Sequence, residues 1–561
     1  MLQKKMTRRV FLTLSAMTAA SCTLNLKKIG EHEAKMGEKS QYHTVIIGAG
    51  LGGLTCGAFL ARQGIPVTVI EQHNVPGGYA TVFDRAEGKF TFDVSLHGTS
   101  LVSNQAATFL ENLGVSQQIE MIELPELYRL VTDKIDIAVP QKNPEKYIAL
   151  LTQHYPEEAE GIQNFINEML AVNEEVSEYD KDSDFSKKYL KIIFPLRFRK
   201  MWNIRNKTLA DMLADHIKSP EVKDVLASLW GYYGLPPSKL SAFYFANATG
   251  GYLRNGSYHI KGGSQALSQA LAQTIENGSG EIIYENRVEK ILFNGDAVTG
   301  VRLASGKEIP AKAVVSNASA IETFTRMVPS THLPTEFSKT LETYQPSLSS
   351  FTVWLGLNQE IKDKYRNFGY HMGSGRTLEE NYQACLTGQI EKMSFSIAIY
   401  DNAYQGYSSP GSSTLAITCL CGFDPWKPFE KAYWAGDKEA YQKEKERWAD
   451  ILIYRAEKQL IKDLSKMIEV REVGTPLTNW RYTGNTHGAI YGFDQNINNA
   501  YMNRIKNRTP LNGLYLASAW GFPGGGFQGV IRGGGLCFQK MMEDWGTRSP
   551  SALPFFPDPE G

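Results

Sequence analysis

The sequence predicts an α/β protein: both ends of the chain fold into one parallel-sheet, dinucleotide-binding domain of Rossmann type, and an α+β domain is inserted between them. Three observations carry this. Residues 42–71 read strand, glycine loop, helix, then a second strand that ends in an acid. Residues 280–319 alternate apolar and polar side chains, as strands and hairpins do. Near the far end, "LYLASAWGFPGGGFQGV" runs from a buried strand at Leu514 into a glycine-dense helix start near Gly526. A chain of 561 residues is too long for a single compact core, so two or three domains are expected.

The first 41 residues stand apart from this fold. "MTRRVFLTLSAMTAASC", Met6 to Cys22, has a basic start, a short apolar run and a small-residue end. Those are the three parts of a secretory signal. The run Val10–Ala20 is too short to cross a bilayer, which takes about 20 residues. Thr7-Arg8-Arg9-Val10-Phe11-Leu12 is similar to the bacterial twin-arginine pattern, which implies an exported protein, periplasmic or membrane-attached. Ala19-Ala20-Ser21-Cys22 resembles a lipoprotein cleavage box, so Cys22 is either a lipid site or the plain end of a leader. Residues 1–22 are read as the signal and 23–41 as a polar linker.

In "TVIIGAGLGGLTCGAFLARQGIPVTVIEQHNVPGGY" each glycine has a physical task. Gly48 permits the tight turn, Gly50 lets the backbone approach a pyrophosphate, with Gly52 beside it in the loop, and Gly53 allows close helix–strand packing. The phosphates then rest on free N–H groups at the positive end of the helix. Glu71 stands where an acid accepts hydrogen bonds from ribose hydroxyls and repels a 2′-phosphate, which disfavours NADP. "HNVPGG" resembles the second glycine pair, here Gly77 and Gly78, of FAD enzymes related to glutathione reductase. That resemblance makes FAD the expected cofactor.

Three later segments extend the resemblance. "GSYHIKGGSQALSQALAQTI" has an aromatic residue, a glycine pair and an amphipathic helix. The strand ribbon follows, and Val288 in it implies a backbone contact with adenine. "LYLASAWGFPGGGFQGVIRGGGLC" has the strand, Pro-Gly-x-Gly and Gly-Val-Ile order of the phytoene desaturase and carotenoid isomerase family. "SLWGYYGLPPSKLSAF" and "SNASAIETFTRMVP" are closer to the retinol saturase branch of that superfamily. The resemblance implies that Gly526, Gly529 and Val530 offer a helix start to the flavin, favouring the negative charge of its reduced form. Where many relatives carry Gly-Asp or Gly-Ala after the last strand, this chain has Ser518-Ala519; the departure removes the family's usual ribityl contact, and Ser518 is the candidate to replace it.

The resulting division places the nucleotide domain at residues 42–102, 255–321 and 475–545. The inserted substrate domain takes 103–254 and 322–474, and 546–561 form a tail. No second Rossmann fingerprint is found, so direct reduction by a nicotinamide is unsupported. A formal net charge of zero argues against bulk attraction to nucleic acid. Six cysteines form no CxxC pair and no zinc spacing; Cys419 and Cys421 share one face of an apparent strand and read as core. "SKKYLKIIFPLRFRKMW", Ser186 to Trp202, is basic and aromatic without an acid. It suits either a membrane surface or a helix–loop packed on the protein with a solvated basic edge.

Catalytic side chains are less legible. Asp93 and His97 follow the strand after the glycine pair, close to flavin in the family; His97 is either a proton-steering group or a satisfied structural histidine. Tyr491 either lines the pocket opposite the flavin or packs, and the same holds for Trp520 and Phe522. The cofactor performs the difficult step in such enzymes, and the protein supplies orientation and a dry cavity. The expected activity is FAD-dependent desaturation or saturation of carbon–carbon bonds in an apolar, isoprenoid-like substrate, with a quinone or oxygen as electron partner. Its rivals are redox-neutral cis–trans isomerisation, amine oxidation, and non-catalytic lipid escort.

Overall fold

A computed structural model describes residues 42–95, 97–181 and 194–546. The twin-arginine leader, Cys22, the linker, the tail beyond Gly546 and the stretch 186–193 of the basic–aromatic segment lie outside the described residues.

One five-stranded sheet gathers the two ends of the chain. Its order is Leu514–Leu516, Ala313–Ser316, Thr44–Ile47, Val67–Ile70, Gly280–Ile283, every neighbour parallel. The strands of residues 44–47, 67–70 and 313–316 are buried along their whole length, which is why they read as continuous apolar runs. The helix Leu51–Arg62 follows the first strand and packs on the helices Ser264–Glu276 and Gly526–Asp544. The ribbon Val288–Asn294, Ala297–Leu303, Glu308–Pro310 is antiparallel and completes this domain.

The inserted domain is built on a seven-stranded mixed sheet. Its order is Ile468–Gly474, Ser349–Leu357, Ser413–Cys421, Phe395–Ile399, Gly369–Met372, Tyr128–Val131, Asp136–Val139. All neighbours are antiparallel except Gly369–Met372 beside Tyr128–Val131. The amphipathic stretch around Ile162 and Phe165 forms the helix Ala159–Lys181, which crosses the helix Ala242–Asn255. Cys419 and Cys421 are buried in the core of this domain.

Two boundaries fall differently from the division drawn on the sequence. The helix Gln105–Asn112 belongs to the nucleotide domain, where Ala106, Phe109 and Leu110 pack with Leu54 and Phe538. Residues 322–341 also stay with it, since Phe324, Met327 and Leu341 share a core with Val45 and Trp520. In both places the chain leaves the sheet but covers its apolar flank before crossing over; local pattern does not say which sheet a helix will cover.

Of the basic–aromatic segment, Phe198 and Met201 are buried in the inserted domain, whereas Leu196 is 83% exposed and Trp202 37%. No helix among the described residues is long and apolar enough to cross a membrane.

Candidate functional site

The loop between the first strand and its helix is shaped by what its glycines lack. Gly48 has φ +91°, a conformation that side chains disfavour. A Cβ on Gly52 would stand 1.9 Å from the Ala517 carbonyl oxygen, and one on Gly50 2.6 Å from the Asn317 amide nitrogen. Gly53 lies beneath, where a Cβ would press the Gly48 carbonyl at 2.5 Å and the Ile46 side chain at 3.1 Å. Gly77 bridges to Gly50, and its N–H donates to the Ala49 carbonyl at 2.7 Å. Gly48, Gly50, Gly52, Gly77 and Gly78 thereby present bare backbone to one large cavity.

Two helix starts point their free N–H groups at that cavity. The helix Leu51–Arg62 begins at Gly50 with no side-chain cap and no acid in its first turn. The helix Gly526–Asp544 begins the same way at Gly525, and Gly526, Gly529 and Val530 line the cavity. Unpaired N–H groups and the positive helix end make both places attractive to anionic groups.

Glu71 is 7% exposed and lines the cavity. Its carboxylate accepts from the Ala49 N–H at 2.7 Å and from the His73 N–H at 2.8 Å, so it fixes the glycine loop as well as offering its remaining lone pairs to a ligand. Burial raises its pKa, and those N–H bonds only partly counter this. Val288, 3% exposed, and Ser518, 4% exposed, also line the cavity. The Ser518 hydroxyl accepts a 3.4 Å bond from the Trp520 N–H.

The catalytic candidates separate. His97 and Tyr491 both line the cavity. Burial pushes the His97 imidazole down to about 4, so it is neutral at pH 7. The Tyr491 hydroxyl donates to the Gly231 carbonyl at 2.9 Å, and burial keeps the phenol protonated. Asp93 does not line the cavity: its carboxylate accepts from the Ser264 N–H at 2.7 Å and from the Ser264 hydroxyl at 3.0 Å, capping the helix that starts there. Trp520 is buried, donates from its indole to the Asn485 side chain at 2.9 Å and meets Phe493 edge-on, and Phe522 packs against Tyr501.

Two residues with large roles went unread in the sequence. Asn317 follows the strand Ala313–Ser316, lines the cavity and donates to the Gly48 carbonyl at 3.3 Å, bracing the glycine turn from the neighbouring strand. Its signal was its place, a polar residue just past a buried parallel strand, where ligands of open α/β sheets bind. Arg504, 1% exposed, donates to the carbonyls of Tyr491 at 2.9 Å, Phe493 at 2.8 Å and Ala519 at 2.8 Å. It ties the Tyr491 loop to the end of the last strand, and although burial lowers it to about 10 it keeps its charge at pH 7. Its polar surroundings, "NNAYMNRIKNRTP", gave no hint of that.

The cavity occupies 1470 Å³, above the ~300–1,000 Å³ of a typical small-molecule site. It continues from the glycine loop into the inserted domain, past Tyr232, Tyr244, Tyr252 and Tyr491. Residues 51–537 match the family described as flavin containing amine oxidoreductase. The chain belongs to that family. Two relatives are similar to this chain over most of its length. A chloroplastic prolycopene isomerase from Daucus carota is 26% identical over 531 residues, 92% of this chain and 83% of that protein. An all-trans-retinol 13,14-reductase from Danio rerio is 25% identical over 534 residues, 89% of this chain and 85% of that protein. These are the isomerase and saturase branches to which the sequence motifs pointed. An oxidoreductase of known structure from Methanosarcina mazei shares the fold, with a TM-score of 0.58 at 17% identity over 89% of this chain and all of that one.

Proposed function

We propose that the protein is an FAD-dependent oxidoreductase acting on carbon–carbon bonds of an apolar, isoprenoid-like polyene. One observation carries the reading: a single cavity joins a bare-backbone dinucleotide cradle to a tyrosine-lined chamber, with more volume than one ligand needs. The glycine loop and its helix start fit a pyrophosphate, Glu71 a ribose, Val288 an adenine, and the uncapped start at Gly525 the electron-rich end of a flavin ring. The relatives' names support the substrate class, since both act on polyenes.

Bound there, the cofactor supplies exchange of a hydride with a carbon beside a double bond. The chain's part is to position and to exclude water. Tyr491 is held rigid from both sides, its hydroxyl on Gly231 and its carbonyl under Arg504, so its ring walls the chamber in one orientation. His97 presents a neutral imidazole, and since the burial that keeps it neutral also disfavours the imidazolium, it serves the chamber as a hydrogen-bonding wall and not as a base. Redox-neutral isomerisation is the second reading, favoured by the isomerase relative.

The test is anaerobic titration of the yellow holoprotein with linear isoprenoid polyenes, oxidised and reduced in turn, followed by product analysis. Loss of the yellow band with a more unsaturated product, or its return with a more saturated one, is expected; quinone or oxygen then restores the resting state. Geometric conversion without net electron uptake gives the isomerase. Response to amines alone overturns both.

A further inference from the structure

The floor of the cavity is one face of the inserted domain's sheet, and its chemistry is unexpected for a hydrocarbon site. Strand register sets Thr352 opposite Thr418, Thr418 opposite Ser396, and Ser396 opposite His371. These four residues sit on four adjacent strands, form one line across the sheet, and all line the cavity. Their neighbours in sequence, Val353, Ile417 and Ile397, point through to the other face and are fully buried, as period-two alternation requires. The polar row crosses a wall that also carries apolar side chains: Trp354 and Leu420, two positions on from Thr352 and Thr418, line the same cavity.

The row has hydrogen-bonding capacity to spare. The Thr352 and Thr418 hydroxyls lie 3.2 Å apart and share one hydrogen. Ser396 makes a long 3.5 Å bond to the Thr418 carbonyl. Each hydroxyl offers one donor and two acceptor positions, so at least one O–H and several lone pairs remain for a guest. At the end of the row the His371 ring is stacked on Tyr128 at 4.3 Å and edge-on to Tyr232 at 5.6 Å, which fixes its plane. Burial pushes its imidazole down to about 3, so it offers one donor and one acceptor at neutral pH. At the other end, the Asn479 amide donates to the Ser350 hydroxyl at 3.2 Å, and both residues also line the cavity. A pure hydrocarbon laid on this floor would strip water from these groups and return nothing, whereas a guest with an oxygen would replace it.

We infer that the row Thr352, Thr418, Ser396 and His371 receives an oxygen function, a hydroxyl or carbonyl, carried by an otherwise apolar isoprenoid chain. The inference rests on the reading of the chamber as an isoprenoid site and narrows it from hydrocarbons to oxygenated chains.

The test compares the yellow holoprotein's affinity for all-trans-geranylgeraniol with that for the same chain ending in methyl instead of the alcohol, in detergent, by fluorescence quenching. The alcohol is expected to bind about tenfold more tightly, the ratio that one or two net hydrogen bonds give. In Thr352→Val/Thr418→Val, which keeps the β-branched shape, that ratio falls to within about twofold. Ser396→Ala lowers the ratio in the same direction and serves should the double variant lose its flavin. A ratio near one in the natural protein, or a preference that survives both variants, overturns the inference and leaves the chamber reading standing. If neither chain binds, the chamber reading fails and the inference falls with it.

Discussion

At the scale of single residues, the site is made by what is missing at a few positions. Gly52 is the sharpest case, because the atom a side chain would strike is the backbone oxygen of Ala517, only 1.9 Å from the Cβ position. Ala517 is itself held by its N–H on the Ser316 carbonyl at 2.9 Å, so it cannot retreat without opening the end of the sheet. Gly52→Ala should therefore cost about 1–3 kcal/mol of stability, the range for forcing atoms into a packed place, and should purify nearly colourless. The ratio of flavin to protein absorbance and a denaturant melt check both. Gly78→Ala is the contrast: its Cβ would find only the Gly50 Cα, at 3.7 Å, so the cost there is the φ of +62° alone, about 1–2 kcal/mol. Retention of full flavin by Gly52→Ala would mean that the loop does not hold the cofactor as described.

At the scale of elements, glycines decide how closely helices approach, and two contacts separate the domains. A Cβ on Gly534 would stand 2.3 Å from the Gly52 carbonyl, where the helix Gly526–Asp544 crosses the dinucleotide helix. A Cβ on Gly250 would stand 2.8 Å from the Met169 carbonyl, inside the inserted domain. Gly534→Ala should lower both stability and flavin content, because it pushes on the first helical turn, which carries Gly52. Gly250→Ala should lower stability by a similar ~1–3 kcal/mol yet keep its flavin. Absorbance ratios and melts of the two variants read the difference, and equal flavin loss in both would remove the distinction. Sequence made the first of these elements legible, since Gly48, Gly50, Gly53 and Glu71 constrain one another within a short stretch. It left Gly534 unread, because its partner lies more than four hundred positions away. The row Thr352–Thr418–Ser396–His371 was hidden for the same reason: each residue is an ordinary polar residue of its own strand, and only the register across four strands aligns them. Alternation predicted that Cys419 and Cys421 share a face, but could not say that Thr418 lines the cavity.

At the scale of the whole molecule, the two domains are interlocked and not merely adjacent. The Trp354 indole of the inserted sheet donates to the Asp93 carbonyl of the nucleotide domain at 2.8 Å, and a Cβ on Gly356 would overlap the Phe90 ring. Asp180, at the end of a helix of the inserted domain, meets Arg532 of the closing helix at 2.5 Å, with both side chains mostly buried. The parallel sheet pairs the strand near 44 with the strand near 313, and that one with the edge strand near 514, so three distant segments share one sheet. A cofactor that binds only where these segments meet should therefore stabilise the entire chain. At a free concentration one hundred times its Kd, the gain is about 2.7 kcal/mol. Calorimetry of the protein with and without added FAD should show one endotherm moving upward by a few degrees, and Gly52→Ala should show none of that movement. Two endotherms, of which FAD moves only one, would mean that the inserted domain stands on its own core; the shared contacts at Asp93, Phe90 and Arg532 would then be too weak to couple cofactor binding to the chamber it serves.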